Sequence, residues 1–289
     1  MTQGWHIGVI GGSGLAAGLA LDGAQEIEVV SPFGLPSSAV TTGMLAGVRF
    51  TFLPRHGVTH SVPPSQVNYR ANIDVLKRCG VTDVIALSAI GSLNPGMTPG
   101  SFVAVDQFID RTTSRDGSFF GQGLVAHVSL ADPICARLRG LLVDAARAED
   151  AQVHDGGCYV AIEGPQFSTR AESRLYRKWG GDVIGMTGMP EARLAREAEL
   201  PYAMLGMVTD FDSWRGEDAG VEVSEVLKVV HRNAELARRA VAGLAAALPA
   251  ERVPSPIDTA LNGAIMTAPE ARDAVLATKL QAIAGRVLG

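Results

Sequence analysis

The chain has 289 residues, 47% of them hydrophobic and 19% charged, a globular composition with enough length for one large domain or two small ones. A net charge of −5 argues against a nucleic-acid or anionic-membrane surface. No apolar run approaches the ~20 residues of a membrane span, so neither nucleic acid nor membrane is an expected partner.

The N-terminus passes directly into a strand over 7–10 without a secretory pattern. A tight turn follows at Gly11-Gly12-Ser13-Gly14. Residues 48–53 read as a second strand broken by Pro54, and 67–79 as a helix stopped by Gly80. The apolar run 84–87 suits a central strand of a mixed or parallel sheet, and 102–105 is another strand. Residues 131–148 have amphipathic spacing, with Pro133 placed in the first turn of a helix. A strand over 159–162 leads to Thr169-Arg170-Ala171-Glu172, a capping box that opens a helix ending near Gly180. Then come a strand at 183–186, a helix at 190–199, a buried strand at 202–208 and a long helix at 224–248. Pro254-Ser255-Pro256 marks a linker, and 269–288 reads as a final amphipathic helix.

Strands alternating with helices predict a three-layer α/β/α fold about a mixed central sheet. The only break in pattern lies near 249–256, and the C-terminal segment beyond it is too short for its own core. The expected organisation is one catalytic domain, 1–253, with a C-terminal helical extension, 254–289. Three cysteines (Cys79, Cys135, Cys158) without a CxxC pattern fit reduced thiols in a cytoplasmic protein.

The strongest chemical signal is Thr209-Asp210-Phe211-Asp212 at the end of the 202–208 run. Period-two alternation sends both carboxylates to one side, past the carboxyl end of a strand, where open α/β sheets bind ligands. Such a pair suits a ligand with adjacent donors, such as the edge of an aminopurine. Alternatively, the two are loop acids that cap the next helix.

Gly12-Ser13-Gly14-Leu15-Ala16-Ala17 satisfies the G-x-G-x-x-A dinucleotide fingerprint. The segment after it, with Gly18 and Gly23, is a poor helix former, whereas the fingerprint needs a helix N-terminus for the pyrophosphate. A turn presenting amides and the Ser13 hydroxyl to one phosphate is the preferred reading, with a dinucleotide as the rival. Arg55 and His56, directly after the second strand, supply oxyanion donors. Metal binding by His56 and His60 is disfavoured, because Gly57, Val58 and Thr59 do not make a helix and no third ligand lies nearby. Ser88-Ala89-Ile90-Gly91-Ser92 again offers a hydroxyl and amides after a strand. Phe167 is a candidate for stacking on a planar base, or simply a buried aromatic.

In order along the chain, the blocks 8–15, 53–57, 67–73, 162–173, 186–191 and 209–212 resemble the methylthioadenosine phosphorylase branch of the trimeric purine nucleoside phosphorylase family. The resemblance covers about 7–248. It implies a phosphate site at Ser13, Arg55, His56, Ser88, Ala89 and Thr187. It implies a purine pocket at Phe167, Ser168, Asp210 and Asp212, with Met186 against the ribose. His60, Val223, Val226 and Leu227 match the lining of the 5′ group, and His127 a histidine contributed by a neighbouring subunit. Ser13 and Ser88 stand where threonine is frequent, and Gln166 where arginine is frequent.

The activity so implied is phosphorolysis of S-methyl-5′-thioadenosine to adenine and 5-methylthioribose 1-phosphate, by a homotrimer of glycosyltransferase type. Inorganic phosphate is the co-substrate, and no cofactor or metal is expected. The physics fits: a phosphate beneath the anomeric carbon stabilises an oxocarbenium-like transition state, while Asp210 or Asp212 eases departure of the purine. Asp210 is assigned to N7, Asp212 to the 6-amino group, and His56 to the catalytic set with them. Three alternatives remain: a 6-oxopurine phosphorylase acting on inosine, guanosine or methylthioinosine, a hydrolytic nucleosidase, and a non-catalytic dinucleotide-binding protein.

Overall fold

The computed structural model describes residues 4–12, 15, 19–215 and 223–289, and within the last segment the side chains from 228 onward. Among the described residues eleven strands form one mixed sheet. Its main path runs β2 (Asp22–Ile27), β3 (Val40–Leu45), β4 (Val48–Pro54), β1 (His6–Gly11), β5 (Asp83–Ser92), β10 (Val183–Gly185), β9 (Cys158–Ala161) and β7 (Gln107–Asp110). The opposite edge of β5 takes β11 (Tyr202–Asp210), which leads through β6 (Phe102–Ala104) to β8 (Val153–Asp155).

Alternation along the central strands assigns each face its own core. On β5, Val84, Ala86 and Ile90 join one apolar cluster while Ile85 and Leu87 join another; on β11, Tyr202, Met204 and Val208 part from Ala203, Leu205 and Met207 in the same way. The first cluster is covered by α1 (Tyr69–Arg78), α4 (Gly188–Glu197) and α7 (Gln281–Leu288). The second is covered by α2 (Ala136–Ala148) and α5 (Val223–Ala247). Helices on both faces of the sheet make the three layers that the alternating pattern predicts. Among the described residues no helix is long and apolar enough to cross a membrane.

Four strands escape the sequence reading. The sequence Asp-Gly-Ala-Gln-Glu-Ile of β2 is exposed along its whole length, and β3 has little apolar alternation. The strands β7 and β8 are only four and three residues long. Residues 131–135 precede α2 instead of forming its first turn, because Cys135 is the extended N-cap residue. The single helix expected over 269–288 is a 3-10 turn (Pro269–Ala271), α6 (Ala274–Lys279) and α7, separated at Leu280. The Asp273 carboxylate accepts from the Leu276 N–H and starts a new helix there. Leu261, Leu280, Ile283 and Ala284 are all buried in the core shared with α1. The capping box at α3 (Arg170–Lys178) forms as its sequence predicts, with Thr169 Oγ1 accepting from Glu172 N and Glu172 Oε2 from Thr169 N.

One departure from expectation creates the functional region. The strand at 84–87 does not end there but continues to Ser92. Its pairing with β1 ends at Gly11 and Leu87, and β10 joins the same edge only at Gly91. Between them, the edge at Ser88, Ala89 and Ile90 has no strand neighbour among the described residues, and the sheet splits open.

Candidate active site

All three of those residues line a cavity of about 450 Å³, a size suited to a nucleoside. Ser88 Oγ lies 3.3 Å from Thr187 Oγ1, which arrives from the turn between β10 and α4. Thr187 is held there by its N–H, which donates to the hydroxyl of Tyr159 on β9. Two hydroxyls from distant segments thus converge beside His56, which lines the same cavity.

The His56 ring is 2.9 Å from the Val62 carbonyl through Nδ1. Burial, and then the neighbouring charge of Arg55, lower its pKa to about 4, against a partial gain from that carbonyl. A neutral ring with its proton on Nδ1 leaves Nε2 as an acceptor, not the donor expected of an anion ligand. A phosphate that still carries a hydroxyl proton is the matching partner. The His60 ring packs against His56 with centroids 4.5 Å apart, and His60 reaches the cavity too.

Arg55 is placed differently from its expected role. It is fully buried behind His56 and does not line the cavity. Its planar fork is engaged by Glu191, with Nε donating to Oε2 at 2.7 Å and Nη2 to Oε1 at 2.9 Å, while Nη1 approaches the Leu87 carbonyl. Burial opposes the charge, but the Glu191 carboxylate more than offsets it and the guanidinium holds its proton more firmly than usual. Two of the five donors expected for an oxyanion, the Nε–Nη2 edge of the fork, are therefore occupied by a carboxylate 136 residues away in sequence.

At the other end, Asp210 pairs in register with Gly91, and both Asp210 and Asp212 line the cavity. A Cβ on Gly91 would lie 3.0 Å from Asp210 Oδ1, so glycine admits the carboxylate to this position. Asp210 Oδ2 accepts from Thr209 Oγ1 at 2.7 Å and Oδ1 from the Asp212 N–H at 2.8 Å. Asp212 has a φ of 43°, a left-handed conformation uncommon outside glycine, and its Oδ2 is buried without a partner. Burial raises the pKa of both acids. Asp212 reaches about 6, with the Asp210 charge adding to burial and the Ser173 hydroxyl opposing it, whereas the donors on Asp210 restrain its rise.

Phe167 lines the wall and is 49% exposed, which rules out the reading as a buried core aromatic. Ser168 is buried with an unpartnered Oγ but does not line the cavity. Met186 does, and packs against Gly164 so closely that a Cβ there would lie 2.4 Å from its sulfur. His127 is exposed and away from the cavity, its N–H donating to the Ala264 carbonyl at 2.9 Å. Ser13 and the side chains of Val223, Val226 and Leu227 lie outside the described residues.

Several lining residues had no place in the sequence reading. Val230 lies four residues beyond Val226 and three beyond Leu227, so helical periodicity could have carried the assignment to it. Ile162, Ile184 and Val62 read only as strand or loop residues. No residue of the 254–289 extension lines the cavity.

The phosphorylase superfamily profile matches residues 6–246 of this sequence. The chain belongs to that superfamily. It is 55% identical to the S-methyl-5′-thioadenosine phosphorylase of Bradyrhizobium diazoefficiens, across 100% of this chain and 99% of that one. Among solved structures, a methylthioadenosine phosphorylase from an antarctic soil metagenomic library superposes with a TM-score of 0.91 at 43% identity, covering 97% of this chain and 99% of the other. The methylthioadenosine phosphorylase of Schistosoma mansoni in complex with adenine superposes with a TM-score of 0.79 at 38% identity, covering 84% and 91%. The superfamily's mixed sheet with helices on both faces is the architecture described above.

Proposed function

We propose that the protein cleaves S-methyl-5′-thioadenosine with inorganic phosphate, releasing adenine and 5-methylthioribose 1-phosphate. The observation that carries this reading is the double character of one cavity. Hydroxyl and imidazole groups (Ser88, Thr187, His56) gather at one end, and the Asp210–Asp212 pair stands at the other. Ser88 and Gly91 are three residues apart on β5, roughly 10 Å at strand rise, a span that suits a purine and an attacking oxyanion on the two sides of a ribose. The relatives named as methylthioadenosine phosphorylases support the same substrate.

In the reaction the C1′–N9 bond breaks as a phosphate oxygen bonds to C1′. Positive charge grows on the ribose and negative charge on the purine, so an anion below one and a proton near the other lower the barrier together. The carboxyl pair supplies that proton to N7. In this structure it rests more readily on Asp212, whose Oδ2 is unpartnered, than on Asp210, which already accepts two hydrogen bonds. The proton belongs to the pair, and a purine redistributes it. Hydrogenphosphate keeps its own proton and donates it as a hydrogen bond to Nε2 of His56, so that one of its unprotonated, charged oxygens is left to bond to C1′.

A carboxylate facing the 6-position favours an amino donor over a 6-oxo acceptor, and Val230, Ile162 and Val62 provide apolar surface for a methylthio group. We read the active form as a cytoplasmic homotrimer without cofactor, in which His127 of one subunit serves its neighbour. The deciding experiment is a product assay on methylthioadenosine with and without phosphate. Phosphate-dependent formation of adenine and the sugar 1-phosphate is expected. Adenine release that ignores phosphate would indicate a hydrolase, and preference for inosine a 6-oxopurine enzyme.

A further inference from the structure

The loop after β7 contributes no cavity-lining residue, yet its Arg115 side chain is only 2% exposed and all three of its nitrogens are engaged. Nη1 donates to the carbonyls of Met186 at 2.6 Å and Met189 at 2.9 Å, on either side of Thr187 and Gly188. Nη2 donates to the carbonyls of Glu163 at 2.6 Å and Ile162 at 3.3 Å, where the segment leading to Phe167 begins. Nε donates to Glu163 Oε1 at 2.8 Å. The other oxygen of Glu163 accepts the N–H groups of Thr113 and Ser114, which fastens the Arg115 loop in return. Nη1 also meets the hydroxyl of Tyr69 on α1 at 3.0 Å.

One guanidinium therefore ties together two segments that both line the cavity. Thr187 of the first meets Ser88, and Phe167 of the second is the ring expected to stack on the purine. The segments also touch directly, since Gly164 has no room for a Cβ against Met186. A displacement of either one strains the same five-donor fork and is passed to the other. Lysine, with one nitrogen, cannot span these acceptors.

We propose that Arg115 is a positioning residue that holds the phosphate segment and the purine segment in mutual register, so that filling one end of the cavity favours filling the other. The inference rests on the assignment of the two ends under the proposed function.

The test compares wild type, Arg115→Lys and Glu163→Gln. Adenine affinity is measured by calorimetry with and without saturating phosphate, alongside KM for both substrates, kcat and Tm. In wild type, phosphate tightens adenine binding by about fivefold or more. In Arg115→Lys this enhancement falls to within about twofold of unity and both KM values rise, with kcat changing less. Glu163→Gln keeps the carbonyl contacts of Arg115 and loses only part of the enhancement. If the lysine variant lowers Tm but keeps the wild-type enhancement and KM values, Arg115 is merely structural and the inference is overturned. It is equally overturned if wild type is an active phosphorylase in which phosphate leaves adenine affinity unchanged. Should Arg115→Lys fail to fold, an unaltered enhancement in Glu163→Gln overturns it. Adenine release without phosphate dependence in wild type would instead overturn the reading of the two ends.

Discussion

The backbone N–H of Asp212 donates to Oδ1 of Asp210 at 2.8 Å, so the first acid of the pair is anchored by the main chain of the second. With Thr209 Oγ1 on its other oxygen, Asp210 is favoured as a charged acceptor, while Asp212 keeps an unpartnered Oδ2. Replacing either with asparagine removes the shared proton but affects recognition differently. An amide facing the purine 6-position can donate to O6. Asp212→Asn is expected to raise the ratio of kcat/KM for inosine over methylthioadenosine by roughly 10–100-fold, the factor that one buried hydrogen-bond mismatch of about 1–3 kcal/mol produces. Asp210→Asn is expected to lower kcat on methylthioadenosine sharply. Near-normal turnover in that variant would take Asp210 out of proton delivery.

The buried fork between Arg55 and Glu191 carries a second prediction. Glu191 also accepts from the Tyr202 hydroxyl at 2.8 Å, so its carboxylate is the hub of three elements: the loop after β4, α4 and β11. Glu191→Gln strands a buried guanidinium and should cost about 3–5 kcal/mol of stability. Urea denaturation measures that directly. Because the freed Arg55 lies beside His56 and Gly12, the variant's KM for phosphate should change more than its KM for the nucleoside. A neutral effect on stability would mean that the fork is not maintained in solution.

These two cases also separate what was legible in the sequence from what was not. Asp210 and Ser88 end or follow apolar runs, and short-range period brings them to one end of a sheet; Asp212 reaches the cavity through a 3-10 turn with a φ of 43° instead of by strand alternation, and Thr187 is marked for phosphate only by the family resemblance. Glu191 and Arg115 have no such local mark. Glu191 looks like an ordinary first-turn acid, and Arg115 lies in an irregular loop; each is explained only by partners far along the chain. Arg55 illustrates the converse: its position after a strand is right for an anion site, and only tertiary structure reveals where its donors point. Among the strands, β2 escaped because none of its residues is buried in this chain, so no alternation was available to read.

Two histidines give stability a pH dependence with a definite sign. His6 is buried against Thr51, and burial, then the charge of Arg49, lower its pKa from 6.5 to about 4. His56 is lowered to about 4 as well. The unfolded chain then binds more protons than the folded one between these values, so their contribution is present above pH 6.5 and is lost as pH falls toward 4. Asp212, raised to about 6, acts in the opposite sense and loses its contribution as pH rises through that value. The clean comparison is between wild type and His6→Phe, in which only one group changes. The urea midpoint of the variant should fall less than that of wild type between pH 6.5 and 4. Parallel curves would mean that His6 protonates as readily in the folded protein as in the unfolded chain.

Gly164 is where the geometry allows least substitution. Its φ is 67°, and a Cβ would lie 2.4 Å from the sulfur and 3.1 Å from Cγ of Met186. Alanine meets two penalties at once: a left-handed backbone costing about 1 kcal/mol and a clash with a residue that lines the cavity. The thioether is flexible enough to yield, so the variant should fold with a modest loss of stability. Met186 has to move, however, and the Phe167 segment shifts with Gly164. The expected result is a KM for methylthioadenosine raised about tenfold, with Tm lowered by only a few degrees. Trimming the neighbour in Gly164→Ala/Met186→Ala should recover backbone packing without restoring nucleoside affinity, because the ribose-facing surface is then gone. A Gly164→Ala enzyme with wild-type KM would show that Met186 can be displaced without consequence and does not bear on the ribose.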